Sequence, residues 1–282
     1  MNVQCKSKVN DVDIDVSIII VNYNKFLLTE KCIDSILENV KKIKYEVIVI
    51  DNNSPNESYE YLSKRYNCVD NIKIINNEFN SGFGAANNLG VKISRGMYSL
   101  LLNPDVIVLD QSVDKMYEML LFNKDVGIVA CQLLNKDMSL QYSCRRFLSF
   151  SEFIIARTPI KKLVRKEVVK KLNDKYLMID YQHTEKTFVD WVMGSCILCR
   201  KEEFLLIGGF SKEYFMYFED VDLCYKMRQI NKKILYYPQA QMVHLHSQDS
   251  IKKINKLTFV HLSSMFKFYR KYGIAYKNHL QI

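Results

Sequence analysis

Three acidic positions and a pair of histidines carry the most chemical promise in this sequence. Asp105 closes the stretch Ser99-Leu100-Leu101-Leu102-Asn103-Pro104-Asp105, where an apolar run ends abruptly in a short acidic turn. Pro104 stiffens that turn and pre-sets where the carboxylate points. A divalent cation with oxygen ligands needs few protein carboxylates when a diphosphate supplies the rest. Asn103-Pro104-Asp105 is therefore a candidate seat for Mg2+ or Mn2+. Glu219-Asp220 opens a helix, and a carboxylate there could act as a general base, taking a proton from an attacking hydroxyl. His244 and His246 alternate on a strand-like segment and so share one face. Neutral imidazole is a good ligand for a divalent ion, and His244 is the preferred one.

A second set could hold a nucleotide. Asn22, Asp51 and Asn80 follow three successive strands, where an amide or carboxylate can hydrogen-bond a pyrimidine ring or a ribose. Gly82 and Gly84 lack a Cβ and let backbone lie close to a ligand. Each feature has a plainer reading. Asn and Gly are common at strand ends for conformational reasons, Asn-Pro-Asp is an ordinary turn, and acidic residues cap helices and suit their dipole. Three such loops in successive units of one sheet say more than any one. Asp222 is matched with Lys226, four residues on, as a surface ion pair and is set apart from the chemistry.

The elements that must position these residues are legible. Val16 to Val21 and Glu46 to Ile50 are β-branched runs, hence strands. Leu27, Leu28, Ile33, Ile36 and Leu37 recur at helical spacing between them. A helix over 59–66 and a strand over 72–75 come next. The loop Asn80-Ser81-Gly82-Phe83-Gly84 then opens a helix that runs to about Arg95 and is ended by Gly96. Tyr98 to Leu102 is the fourth strand. This alternation predicts an α/β fold with a doubly wound, mostly parallel sheet, whose ligands sit outside the carboxyl ends of the strands. Further on, the pattern predicts a helix over 112–122, a strand over 126–130 and a basic amphipathic helix over 161–176. An apolar, strand-like run over 188–199 contains the only tryptophan, Trp191. Beyond it come a helix from Glu219 to Ile230, a short strand over 233–236 and a closing segment from Pro238. The tail carries a helical stripe of Phe259, Leu262, Phe266 and Tyr269.

Composition bounds the rest. The 282 residues are 48% apolar and 25% charged, with a formal net charge of +9, which suits anionic partners; a genome rich in Lys, Asn and Ile codons would give the same balance. No signature of interleaved arginines and aromatics points to nucleic acid. The eight cysteines are scattered and read as structural thiols in a reducing cytosol. Cys196 and Cys199 have C-x-x-C spacing, but no second pair stands at zinc-ribbon distance. No apolar run approaches the ~20 residues of a membrane span.

Taken together, these motifs resemble glycosyltransferases of family 2, the inverting GT-A group, and within it bacterial rhamnosyltransferase-like members. The stretches that carry the likeness run from Val16-Ser17-Ile18-Ile19-Ile20-Val21-Asn22-Tyr23-Asn24 through Asp51-Asn52-Asn53-Ser54, Asn80-Ser81-Gly82-Phe83-Gly84 and Leu102-Asn103-Pro104-Asp105-Val106. They continue in Asp190-Trp191-Val192-Met193-Gly194-Ser195, Gly208-Gly209-Phe210, Phe218-Glu219-Asp220-Val221-Asp222 and Pro238 to His244. The resemblance implies a GT-A fold in which Asp51, beside the loop at Asn22, holds a pyrimidine base. Asn80, Gly82 and Asn103 line the nucleotide-sugar pocket, Asp105 and His244 hold Mg2+ or Mn2+, and Asp220, with Glu219 beside it, is the catalytic base. Asn103 stands where the wider group has the first Asp of a D-x-D motif, which removes one negative charge near the diphosphate.

The implied reaction is inverting transfer of a sugar, rhamnose among the candidates, from a dTDP- or UDP-sugar to a hydroxyl of a bacterial surface-glycan acceptor, free or lipid-linked. The implied organisation is a leader over 1–15, a GT-A domain over 16–250 and a helical tail over 251–282. Within the domain, 16–130 binds the nucleotide sugar and 131–250 the acceptor, with a variable basic segment over 144–187. The basic segment and tail would suit a cytoplasmic protein peripheral to the anionic inner face of the cell membrane. The rival reading is a catalytically inactive nucleotide-sugar-binding module. A NAD-type dehydrogenase needs G-x-G-x-x-G after the first strand, where this chain has Asn22-Tyr23-Asn24.

Overall fold

In the computed structural model the described residues are 13–245 and 256–274. Most of the leader, His246 and both ends of the tail lie outside them. The first half alternates β1 (Val16–Asn22), α1 (Phe26–Asn39), β2 (Tyr45–Asp51), α2 (Ser58–Tyr66), β3 (Ile72–Asn76), α3 (Phe83–Ile93) and β4 (Tyr98–Leu102). Next come β5 (Val106–Val108), α4 (Ser112–Phe122), β6 (Val126–Leu134), β7 (Leu140–Gln141), β8 (Cys144–Arg145), α5 (Phe150–Arg157) and α6 (Lys166–Leu177). The chain continues through β9 (Thr187–Val189), β10 (Trp191–Val192), β11 (Cys196–Arg200), α7 (Lys201–Leu206), α8 (Glu219–Gln229), β12 (Lys233–His244) and α9 (Lys256–Tyr272).

One ten-stranded sheet runs β3-β2-β1-β4-β11-β6-β12-β5, with β7 on β6 and β9 on β12. The expected doubly wound sheet is present, with β3, β2, β1 and β4 mutually parallel and β11 inserted antiparallel between β4 and β6. Both faces are covered, as fully apolar strands require. Ile19, Ile48 and Leu101 enter one core, while Ile18, Ile20, Val49 and Leu100 enter the other. Strand order reverses at β1, so the crevice between the carboxyl ends of β1 and β4 is the switch point where ligands bind in such sheets.

Several elements differ from the sequence expectation for local reasons. Helix α3 stops at Ile93, and Gly96 serves a different purpose. A Cβ at Gly96 would lie 2.6 Å from the Ser17 amide nitrogen, so glycine is required by close approach to β1. The run over 188–199 is not one strand but three short ones, broken at Asp190 and over 193–195. The last strand is one 12-residue strand through Pro238, which is tolerated because the pairing slips between Tyr237 and Gln241. The basic segment is split by Val164 and Arg165 into a 3-10 turn over Pro159–Leu163 and α6. In the tail, Met265, Phe268 and Tyr269 face the core, whereas Phe259 and Phe266 point outward.

Asp222 is not on the surface. It is fully buried, pairs with Lys226 at 3.2 Å and Lys271 at 3.0 Å, and accepts a 2.7 Å hydrogen bond from the Tyr272 hydroxyl. Burial opposes its charge, but these partners hold its carboxyl below the ordinary range. A buried carboxylate with two cations and several donors is a satisfied one; it fastens α9 to α8. The cysteines among the described residues are free thiols, and Cys196 and Cys199 are buried in β11 as structural residues.

Candidate active site

The site is assembled by strand register. Val106 of β5 lies opposite His244 of β12, and the Leu245 amide donates to the Asp105 carbonyl at 2.8 Å. The acidic turn after β4 and the end of β12 are thereby held side by side. Leu102 lies opposite Cys196, and the Asn103 amide donates to the Ser195 carbonyl at 3.0 Å. One residue earlier, the Gly194 amide donates to Asp220 Oδ2 at 3.0 Å. The short stretch before β11 thus connects the Asp105 turn to the start of α8.

A cavity of about 550 Å3 opens over this junction, and Asn80, Gly82, Asn103, Asp105, Glu219, Asp220 and His244 all line it. Asn22 and Asp51 do not. Both are fully buried; Asp51 accepts from Asn22 Nδ2 at 2.6 Å and from the Ser54 amide and hydroxyl at 2.9 and 2.8 Å. Their neighbour Asn52 does line the cavity. It donates to Asn80 Oδ1 at 2.9 Å and accepts from Asn77 and Ser81, tying the glycine loop to the end of β2. Gly82 has φ +83°, and a Cβ there would stand 3.1 Å from both the ring and the carbonyl of Phe215. Glycine is needed here for conformation and for space.

Asp105 is held on both oxygens. Lys25 Nζ lies 3.2 Å from Oδ2, and His244 Nε2 lies 3.3 Å from Oδ1. Burial would raise the Asp105 carboxyl, but His244 and the Lys25 ammonium outweigh it and hold the group well below the usual carboxylate range. The other imidazole nitrogen, Nδ1, is 2.7 Å from Gln141 Oε1, the kind of partner that orients a metal-binding histidine. Asp105 Oδ1 is buried and receives no hydrogen bond of ordinary geometry. Two ligand atoms each about 2.1 Å from a small divalent ion and at right angles lie about 3 Å apart, so Asp105 Oδ1 and His244 Nε2 fit such an ion. No cluster of three or more His, Cys, Asp or Glu donors exists among the described residues, so the remaining ligands would have to come from a substrate or water.

The acidic pair is aimed by strained backbone. Tyr217 and Phe218 have φ of 65° and 66°, a conformation costing about 1–3 kcal/mol at a non-glycine residue. Phe218 is kept there by burial, with its ring centroid 5.7 Å from that of Phe153 and 5.6 Å from that of Phe268. Glu219 and Asp220 then form the first turn of α8, whose N-cap is Phe218; neither acidic side chain occupies the cap position. Beyond them a second cavity of about 490 Å3 shares Met193, Tyr217, Glu219 and Asp220 with the first and is walled by aromatics including Trp191 and Tyr176. The acidic pair therefore stands between two chambers.

Burial, and then the charge of Asp220, push the Glu219 carboxyl up to about 8. Burial also raises Asp220, against the Gly194 and Val221 amides that favour its charged form. Of the two, Asp220 has the Gly194 and Val221 amides, at 3.0 and 2.8 Å, to favour its charged form. Stability depends on pH as a result. In the unfolded chain Glu219 loses its proton near 4.5, but in the folded chain only near 8. The native state binds more protons between those limits, so stability falls as pH rises through that window. Glu219→Gln cannot ionise and removes this loss. In thermal melts the variant should gain on wild type above pH 8 and show no such gain below pH 4.5; a constant difference across the range would refute the assignment.

A sheet of this topology, with a polar crevice at its switch point, has the GT-A fold. Residues 17–235 match the model of glycosyl transferase family 2, and the chain belongs to that family. It is 29% identical over 196 residues to the rhamnosyltransferase WbbL of Escherichia coli, covering 66% of this chain and 69% of that protein. It is 28% identical over 250 residues to the low-salt glycan biosynthesis hexosyltransferase Agl10 of Haloferax volcanii, covering 86% of this chain and 70% of that one. The crystal structure of GalNAc-T7 with UDP, GalNAc and Mn2+ superposes with a TM-score of 0.71 at 16% identity, covering 95% of this chain and 50% of that one. The chain is a glycosyltransferase with rhamnosyltransferase-like relatives. No helix among the described residues is long and apolar enough to cross a membrane.

Sequence reasoning missed Lys25, Asn52, Gln141 and the shared wall at Met193 and Tyr217. Lys25 had a faint signal, because it comes just after the turn at the carboxyl end of β1, but it is one of 40 basic residues. Gln141 reaches His244 only through the tertiary fold.

Proposed function

We propose that this chain transfers a sugar, with inversion, from a dTDP- or UDP-sugar to a hydroxyl on a surface-glycan acceptor, and that Asp220 is the base. The observation that supports this most is the hydrogen bond from the Gly194 amide to Asp220, which sets the carboxylate at the boundary of two chambers. The donor would occupy the chamber above Asn80, Gly82 and Asn103, and the acceptor the aromatic chamber beyond Glu219. Asp220 takes the proton of the acceptor hydroxyl as that oxygen attacks the anomeric carbon from the face opposite the diphosphate. Glu219, whose carboxyl burial pushes up to about 8, is the neighbour that holds its proton more tightly than an ordinary glutamate.

Asp105 and His244 would hold a divalent cation, Mg2+ or Mn2+, which when bound offsets charge on the departing diphosphate. The role proposed for Asp51 is narrower than direct capture of the base. Its oxygens are engaged by Asn22 and Ser54, so it fixes the floor on which Asn52 and Asn80 present themselves to the nucleotide. Likeness to WbbL supports rhamnose as the transferred sugar. A lipid-linked acceptor and contact with an anionic membrane draw support from the aromatic acceptor chamber and from α6, a basic helix none of whose own residues is fully buried.

The test is a panel of nucleotide sugars, scored by thermal stabilisation with and without Mn2+ and then by the anomeric configuration of any product. A ligand at 100 times its dissociation constant adds about 2.7 kcal/mol, a shift that melts resolve. Stabilisation by a dTDP- or UDP-sugar and then an inverted product are expected. Stabilisation with neither transfer nor donor hydrolysis would favour the inactive binding module, and a retained anomer would refute inversion.

A further inference from the structure

Lys25 lies where a cation is needed. Its ammonium is 3.2 Å from Asp105 Oδ2, while the other oxygen of the same carboxylate faces His244. The Lys25 side chain is 49% exposed and that of Asp105 only 7%, so the lysine can leave and the aspartate cannot. The lysine backbone is fixed, since its amide donates to Asn22 Oδ1 at 3.3 Å and it forms the N-cap of α1. Departure therefore needs only side-chain rotation. Lys25 also lines the donor cavity, which leaves its ammonium within the space a diphosphate would enter.

The charges at this rim are already balanced. Asn103 contributes none, and the single negative charge of Asp105 is met by Lys25. A divalent ion arriving alone finds a neutralised carboxylate with a like charge beside it. A diphosphate offers the lysine a better anionic partner and brings further oxygen ligands.

We propose that Lys25 is a built-in counter-ion that holds Asp105 until a nucleoside diphosphate enters, then passes to a phosphate oxygen, so that the divalent cation binds with the nucleotide and not ahead of it. The inference rests on the proposed metal role of Asp105 and His244, and goes beyond it by assigning the order of binding to one residue.

The experiment is titration with Mn2+, read by the electron paramagnetic resonance of the free ion, on wild type, Lys25→Met and Lys25→Arg, each with and without UDP or dTDP. Wild type should bind Mn2+ weakly alone and at least tenfold more tightly with one of the nucleotides. Lys25→Met should bind Mn2+ about tenfold or more tightly without nucleotide, because a unit charge a few ångströms from the ion has been removed. It should also lose affinity for the nucleotide. Lys25→Arg keeps the charge and should behave as wild type. Equal Mn2+ affinity of wild type and Lys25→Met without nucleotide, in proteins that bind Mn2+ with nucleotide, overturns the counter-ion role while leaving the metal site standing. Absence of Mn2+ binding in every protein, with either nucleotide, overturns the metal site itself and the counter-ion role with it.

Discussion

Asp220→Asn should lower the rate of sugar transfer by about 10²- to 10⁴-fold, the usual worth of a positioned general base, while donor-induced thermal stabilisation stays as in wild type. The substitution is nearly isosteric; its amide oxygen can keep the bond from the Gly194 amide at 3.0 Å, while its NH2 then faces the Val221 amide and one backbone bond is lost, so unchanged donor stabilisation is the check that the start of α8 keeps its place. What disappears is the group that can take a proton. The pH dependence separates this from a packing defect. Burial raises the Asp220 carboxyl, so in wild type the rate should climb with pH as that group ionises. In the variant the residual rate should lose that limb. Transfer within a few-fold of wild type by Asp220→Asn would remove Asp220 from the mechanism.

The parts of this site that could be read from the sequence are those that local pattern governs. Buried parallel strands are continuous apolar runs, so Asn22, Asp51, Asn103 and Asp105 could be placed at strand ends before any coordinates. Glu219 and Asp220 announce themselves by opening a helical pattern. What could not be read depends on partners far apart in sequence. Asp222 looks like one half of an i, i+4 surface pair, and only α9, 49 and 50 residues on, makes it a buried anchor through Lys271 and Tyr272. Gly96 has the look of a helix stop, yet its need comes from Ser17, 79 residues away. Asp51 matches a base-binding residue by position, but whether its oxygens are open or engaged is set by Asn22, 29 residues earlier. The outward turn of Phe259 and Phe266 has the same origin, because helical spacing fixes which residues share a stripe and only packing chooses the buried one.

Asp105→Asn should abolish the part of donor stabilisation that depends on Mn2+ and cut transfer by about 10²- to 10³-fold, the scale of losing one group that offsets transition-state charge. The side chain is small, buried and tied to both Lys25 and His244, so a loss of activity alone could reflect damage to the rim. Stability against pH tells the two apart. The folded Asp105 carboxyl is held below its ordinary 3.8. Its charged form therefore stabilises the native state above that value, and the contribution is lost as pH falls through the folded pKa. Without metal or donor, Asp105→Asn should melt below wild type at neutral pH, and the gap should close in acid. Adding donor and Mn2+ at neutral pH should then widen it, because only wild type gains the metal-dependent increment. A gap that is the same with and without Mn2+ would leave Asp105 a structural partner of Lys25 and His244 and remove it from the cation seat.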